Sequence, residues 1–167
     1  MMTGSFNFFL HLIVFGSVVG VFVSLYILEY KTRIEKEWER KLFIGGIMRT
    51  IASITPFNIL LLAITGFGNM VNRYGLNSPW PQEQWLMVKI VLFVILSANA
   101  LYVGPHLNMN RARLIKSVAE NSAPVDVDKQ FALHNKKISL FLLIQTVLLL
   151  AIVLLSVFGD GKHPGIF

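Results

Sequence analysis

The run ISLFLLIQTVLLLAIVLLSVF, from Ile138 to Phe158, is almost pure Leu, Ile and Val and carries no charge. A helix needs about 20 apolar residues to cross the hydrocarbon of a bilayer, so a stretch of this length and purity reads as a membrane-spanning helix. Gln145 is its one strongly polar residue. Working toward the N-terminus, the same criterion picks out three more segments: about 84–103, about 50–70 and about 6–30. The first of these along the chain, beginning at Phe6, is too long for a signal peptide and has no basic region before its apolar run, so it is kept as a helix.

Composition agrees. Of the 167 residues, 54% are hydrophobic and only 14% charged, which is too little polarity to cover a water-facing surface. There are no cysteines, so disulfides, iron–sulfur clusters and thiolate metal sites are excluded. The net charge of +6 is not a nucleic-acid footprint, because the basic residues gather between apolar segments. Lys31, Arg33, Lys36, Arg40, Lys41 and Arg49 fall around the first connection, and Arg111, Arg113, Lys116, Lys129, Lys136 and Lys137 around the third. Only Arg73 and Lys162 fall on the other side. The positive-inside rule then places both basic connections in the cytoplasm and both termini outside. The expected fold is an all-α, single-domain, up-down four-helix bundle in a lipid bilayer, as in a bacterial inner membrane.

The connections have their own signals. Lys31–Lys41 (KTRIEKEWERK) is expected to extend the first helix into water. The stretch 72–82 is rich in turn formers, with Pro79 and Pro81 flanking Trp80, and Trp80 and Trp85 suit an outer aromatic belt. The stretch 104–137 reads as the longest loop, with a short surface helix over 111–120 and a turn around Pro124. Pro56 should kink the second helix, and Asn58, Asn99 and Gln145 should hydrogen-bond between helices.

Ionisable groups inside a bilayer are expensive, which makes them functional candidates. His11 and Lys89 each lie about five residues into an outside-to-inside helix, roughly 8 Å below the outer boundary. A neutral imidazole is a common haem iron ligand, and a lysine can pair with a propionate or, deprotonated, ligate. The other reading has His11 bonding a neighbouring helix and Lys89 snorkelling to the headgroups. Gly16 and Gly20 have small-xxx-small spacing, suited to close helix packing or to clearing room for a flat ring. His106 and His134 belong to the opposite boundary, too far from His11 to share a haem with it. They could pair with each other at an inner metal or haem site, or be solvated, and His163 lies in a Gly-containing tail. No carboxylate pair, Ser/His/Asp arrangement or phosphate loop supports soluble-type hydrolase or kinase chemistry.

His11, Gly20 nine residues on, and Trp85-Leu86-Met87-Val88-Lys89 opening the third helix together resemble the HemJ-type protoporphyrinogen oxidases and the related CopD-like four-helix membrane proteins. The resemblance implies a haem b site in which His11 and Lys89 take part, with His11 on the iron, and an oxidoreductase activity. The chain departs from that pattern in three places. Val18 and Val19 stand near the family's tryptophan, Tyr26 near its arginine, and Lys136 in place of its acid. The expectations are therefore a b-type haem or porphyrin-binding protein in redox or tetrapyrrole chemistry, with Gly16 and Gly20 as further cofactor-site candidates. The alternatives are a structural or assembly subunit, in contact with other membrane subunits or a second copy, and a small metal transporter.

Overall fold

The computed structural model describes residues 2–75, 83–120, 122 and 124–158. Six α-helices make up the described chain: α1 (Met2–Ile34), α2 (Trp38–Ala52), α3 (Thr55–Tyr74), α4 (Gln84–Ala98), α5 (Gly104–Ala119) and α6 (Val127–Phe158). They join into four rods long and apolar enough to cross a membrane, Gly4–Ile34, Trp38–Tyr74, Gln84–Ala119 and Val127–Phe158. The protein is an integral membrane four-helix bundle, as its apolar segments require. Trp80, Pro79, Pro81, Lys162 and His163 lie outside the described residues.

The rods are longer than the apolar runs alone. The stretch 31–41 extends the first helix only as far as Ile34 and resumes as helix at Trp38, and the stretch 104–137, read as a loop, is largely helix with one short connection after Ala119. Lys and Arg are good helix formers, so the chain continues as helix past the hydrocarbon edge wherever no breaker intervenes. The separate surface helix expected over 111–120 is instead the end of a rod running without interruption from Gln84.

Both internal prolines fall where a helix can take them. Pro56 sits in the first turn of α3, just after a break at Ser53 and Ile54, where a missing N–H is harmless. Ser53 Oγ caps that break by donating to the Thr50 carbonyl at 2.7 Å. Pro105 follows a five-residue π-helical turn, Asn99–Val103, that joins α4 to α5. A wide turn of this kind makes room for the proline ring without ending the rod. Next to it, a Cβ on Gly104 would come within 2.9 Å of the Phe141 ring, so only glycine lets α6 approach the bulge this closely.

The helices are sorted by a pattern opposite to that of a soluble bundle. On α3, Phe57, Leu60, Ile64 and Phe67 are exposed, while Asn58 and Thr65 are buried. Lipid is as apolar as Leu, so polar side chains gain by turning inward to find partners and large apolar ones cover the outside. Among the described residues, buried apolar side chains cluster into a compact core at the basic end. There Leu114, Ile115 and Phe131 are buried, with Trp38 and Val127 packed against them. Lys41 Nζ lies 4.1 Å from the Trp38 ring centroid and 4.5 Å from that of Phe131, which ties α2 to α6 through cation–π contacts. The α1–α3 and α4–α6 pairs pack along their lengths. Close approach between these two pairs comes mainly through α2 on α5 and at the π turn.

Candidate functional site

Two polar centres lie inside the bundle, one toward the end that carries the N-terminus and one at the basic end.

The first is a ladder of hydrogen bonds along the antiparallel seam of α1 and α3. Asn7 Nδ2 donates to the Thr65 carbonyl at 2.8 Å and to Asn69 Oδ1 at 2.6 Å. One turn along, His11 Nδ1 lies 2.8 Å from Thr65 Oγ1. Further down, Asn58 Nδ2 donates to Ser17 Oγ at 3.0 Å. Each step along α1 is matched by a step back along α3, so these bonds hold one register. Glycines make the close approach possible. A Cβ on Gly66 would lie 3.4 Å from His11 Cε1, and one on Gly68 would lie 2.9 Å from Asn7 Nδ2.

The hydroxyl of Thr65 decides the state of His11. Its single proton goes to the Leu61 carbonyl at 2.7 Å, the usual back-bond of a helical threonine. With the Thr65 proton on a carbonyl of its own helix, its oxygen is free to accept from His11 Nδ1–H. Nε2 is left with a lone pair, and no hydrogen bond engages it among the described residues. A histidine with one ring N–H anchored and the other nitrogen bare is the form in which imidazole binds metals.

Lys89 lies on α4, one turn beyond the buried Leu86, and is itself partly buried. It makes no hydrogen bond or ion pair among the described residues. The structure places His11 on α1 and Lys89 on α4, with no hydrogen bond between them among the described residues.

Gly16 and Gly20 do not face the partners of His11. At 3.6 residues per turn these lie roughly 140° and 180° around α1 from His11. Both are exposed, and a Cβ on either would meet nothing within 4 Å. Within this chain they neither pack a helix nor border the His11 ladder. His106 and His134 do not pair with each other. His106 Nε2 meets Asn110 Nδ2 at 3.1 Å, and His134 Nδ1 meets the Gln130 carbonyl at 2.9 Å. Among the described residues, no group of three or more His, Asp or Glu could hold a metal ion.

The second centre escaped the sequence reading. Glu29 and Arg111 form an ion pair between α1 and α5, each side chain only 3% exposed. Arg33 Nε adds a second contact to the same carboxylate at 2.9 Å, and its Nη2 reaches α6 by donating to the Asn135 carbonyl at 3.1 Å and Ser139 Oγ at 2.6 Å. Arg111 Nη2 also lies 3.4 Å from Met48 Sδ on α2, beside fully buried Thr32. One carboxylate thus gathers α1, α2, α5 and α6. The available signal was a lone acid ending an apolar run. Its arginine partner is 82 positions away in what read as loop.

The remaining polar groups are less well matched. Gln145 Nε2 reaches the Leu96 carbonyl at 3.4 Å, while its Oε1 and Asn99 Nδ2 are buried without partners, so the bond expected of Asn99 is not formed. In the 35–37 linker, Glu35 accepts the N–H groups of Lys36 and Glu37 at 2.8 and 3.1 Å, which holds its carboxyl below the usual glutamate range. No protein-family model matches this chain, and neither a curated protein nor a solved structure shows a match to it.

Proposed function

We propose that this protein binds a b-type haem or a porphyrin between its helices toward the terminal end, and that it serves redox or tetrapyrrole chemistry in a bacterial inner membrane. The observation that carries this reading is the state of His11: Nδ1–H anchored on Thr65, Nε2 bare, inside a membrane helix. Burying an imidazole in hydrocarbon only to leave one nitrogen unused is costly unless a ligand takes it. The donor set fits the group. His11 Nε2 would hold the iron, and Lys89 would pair with a propionate or serve as a second ligand. Haem bound there would supply one-electron chemistry. The chain's own contribution is to fix the imidazole tautomer through Thr65, to exclude water with the lipid-facing shell and to place a cation nearby. The resemblance to HemJ-type and CopD-like proteins points the same way, through the same two residues. Gly16 and Gly20 have no part in this site.

The test is an absorption spectrum of the detergent-purified protein, oxidised and dithionite-reduced, beside His11→Ala. A haem b spectrum in the wild type that is lost in the variant supports the reading. A colourless wild type from haem-replete cells that takes up no added haem sinks it.

One observation favours a second reading, a subunit of a larger membrane assembly. The Gly16–Gly20 face of α1 is open, and small-xxx-small faces are common at helix–helix contacts in membranes. Stable co-purification with another membrane protein, lost in Gly16→Leu, would support it.

A further inference from the structure

Neither the His11 ladder nor the Glu29 cluster uses a cleft at the basic end, where α5 and α6 converge. It is a shallow, open depression of about 380 Å³ that joins the polar side chains of Asn110, Arg113, Ser117, Gln130 and His134 to buried Leu114. No carboxylate lines it. The two arginines of α5 have different fates. Arg111 is spent on Glu29, whereas Arg113, two residues on, is exposed at the lining of the cleft and makes no ion pair or hydrogen bond among the described residues. The neighbouring cation on the same helix, Lys116, is paired with Glu120 at 3.4 Å. The Gln130 side-chain amide is also uncommitted among the described residues, and His134 has only Nδ1 engaged, on the Gln130 carbonyl. The cleft thus presents a free guanidinium, a free amide and an imidazole edge, with no negative charge among them.

Its place along α6 points to a class of ligand. His134 precedes Ile138, where the apolar run of α6 begins, by four residues, about 6 Å along the helix. That is the level of lipid headgroups. Exposed Met109 and Leu133, beside Asn110 and His134 in sequence, suit the border between headgroup and hydrocarbon. A guanidinium matches a phosphate with two parallel N–H···O bonds, and basic pockets between transmembrane helices are sites for acidic headgroups.

We propose that this cleft binds the phosphate of an anionic phospholipid from the leaflet at the basic end, with Arg113 as the anchor and Gln130 and His134 as further contacts. The site is independent of haem binding at His11.

The test is native mass spectrometry of the full-length protein in mixed micelles of phosphatidylglycerol and phosphatidylcholine. The wild type is expected to retain phosphatidylglycerol selectively. Arg113→Gln should weaken that retention about tenfold, the size of one charge-assisted contact. Lys129→Gln removes the same charge from an exposed position outside the cleft and should change it less than about twofold. Thermal unfolding of both variants checks that the bundle is intact. Equal losses in the two variants would mean general attraction to the basic surface and overturn the site. So would equal retention of the two lipids. Displacement of the lipid by millimolar inorganic phosphate would overturn the lipid assignment in favour of a soluble phosphate ligand.

Discussion

Glu29 on α1 holds Arg111 on α5 across the bundle, and both side chains are almost fully buried. The pair is not symmetric, because Arg33 also contacts Glu29 at 2.9 Å. Removing Arg111 leaves the carboxylate a partner, while removing the Glu29 charge strands buried Arg111 without an anion and leaves Arg33 only its bonds to Asn135 and Ser139. Breaking a buried pair from one side costs roughly 3–5 kcal/mol when the remaining charge is stranded. Glu29→Gln should therefore destabilise the bundle by about that much, and Arg111→Gln by about half as much. The paired variant Glu29→Gln/Arg111→Met should recover part of the loss. Denaturant unfolding in detergent measures all three. A larger loss in Arg111→Gln than in Glu29→Gln would contradict this account.

Thr65 sets the tautomer of His11, so its hydroxyl should matter to ligand binding separately from its shape. Thr65→Val keeps the volume and removes the acceptor for Nδ1–H. Outer-sphere partners of a ligating histidine contribute about 10–100-fold in affinity, and haem binding should weaken by that factor. Titration of the apoprotein with haemin, read in the Soret band, checks it. Unchanged affinity in Thr65→Val would show that the hydrogen bond does not prepare the imidazole.

Gly68 and Gly16 make a controlled comparison. Alanine at either gains the same helix propensity, about 1 kcal/mol over glycine. At Gly16 the new methyl meets nothing. At Gly68 it lies 2.9 Å from the Asn7 amide and pushes it from its bonds to Thr65 and Asn69. Interhelical hydrogen bonds in membranes contribute about 0.6 kcal/mol each, up to about 1.7. Gly68→Ala should therefore be less stable than Gly16→Ala by about 1–2 kcal/mol. Steric-trap or denaturant unfolding of the two proteins side by side would reveal equal stability if the seam is not sterically tight.

Glu35 offers a pH test outside the membrane. Backbone N–H groups of Glu37 and Lys36 hold its carboxyl below the usual range. A depressed carboxyl contributes stability above its unfolded pKa and loses it as pH falls through the folded value. The 35–37 linker should thus stay ordered through the ordinary glutamate range and loosen only below it. Amide chemical shifts of Lys36 and Glu37 followed against pH report this directly. Glu35→Gln, which cannot ionise, should remove the acid transition from both amides.

The four spans were legible because each needs only about 20 apolar residues in a row, a one-dimensional property that the bilayer reads without reference to the rest of the chain. His11 and Lys89 stood out for the same reason: a polar residue in such a run is conspicuous where it stands. Partners were not legible. That His11 meets Thr65, Asn7 meets Asn69 and Glu29 meets Arg111 depends on the seam of α1 with α3 and on how far the third rod continues beyond the membrane. Arg111 looked like any positive-inside loop residue, because its helical continuation from α4 depends on a π turn that absorbs Pro105. Gly16 and Gly20 failed in the opposite sense: their spacing signals close approach, but only the rotation of α1 about its axis decides which side they face. Sequence by itself determined that this chain lies in a membrane as four helices and which residues are costly there. Tertiary structure alone decided which of those costs are met by a partner, because pairing depends on helix rotation and register, and neither is written in the order of apolar residues.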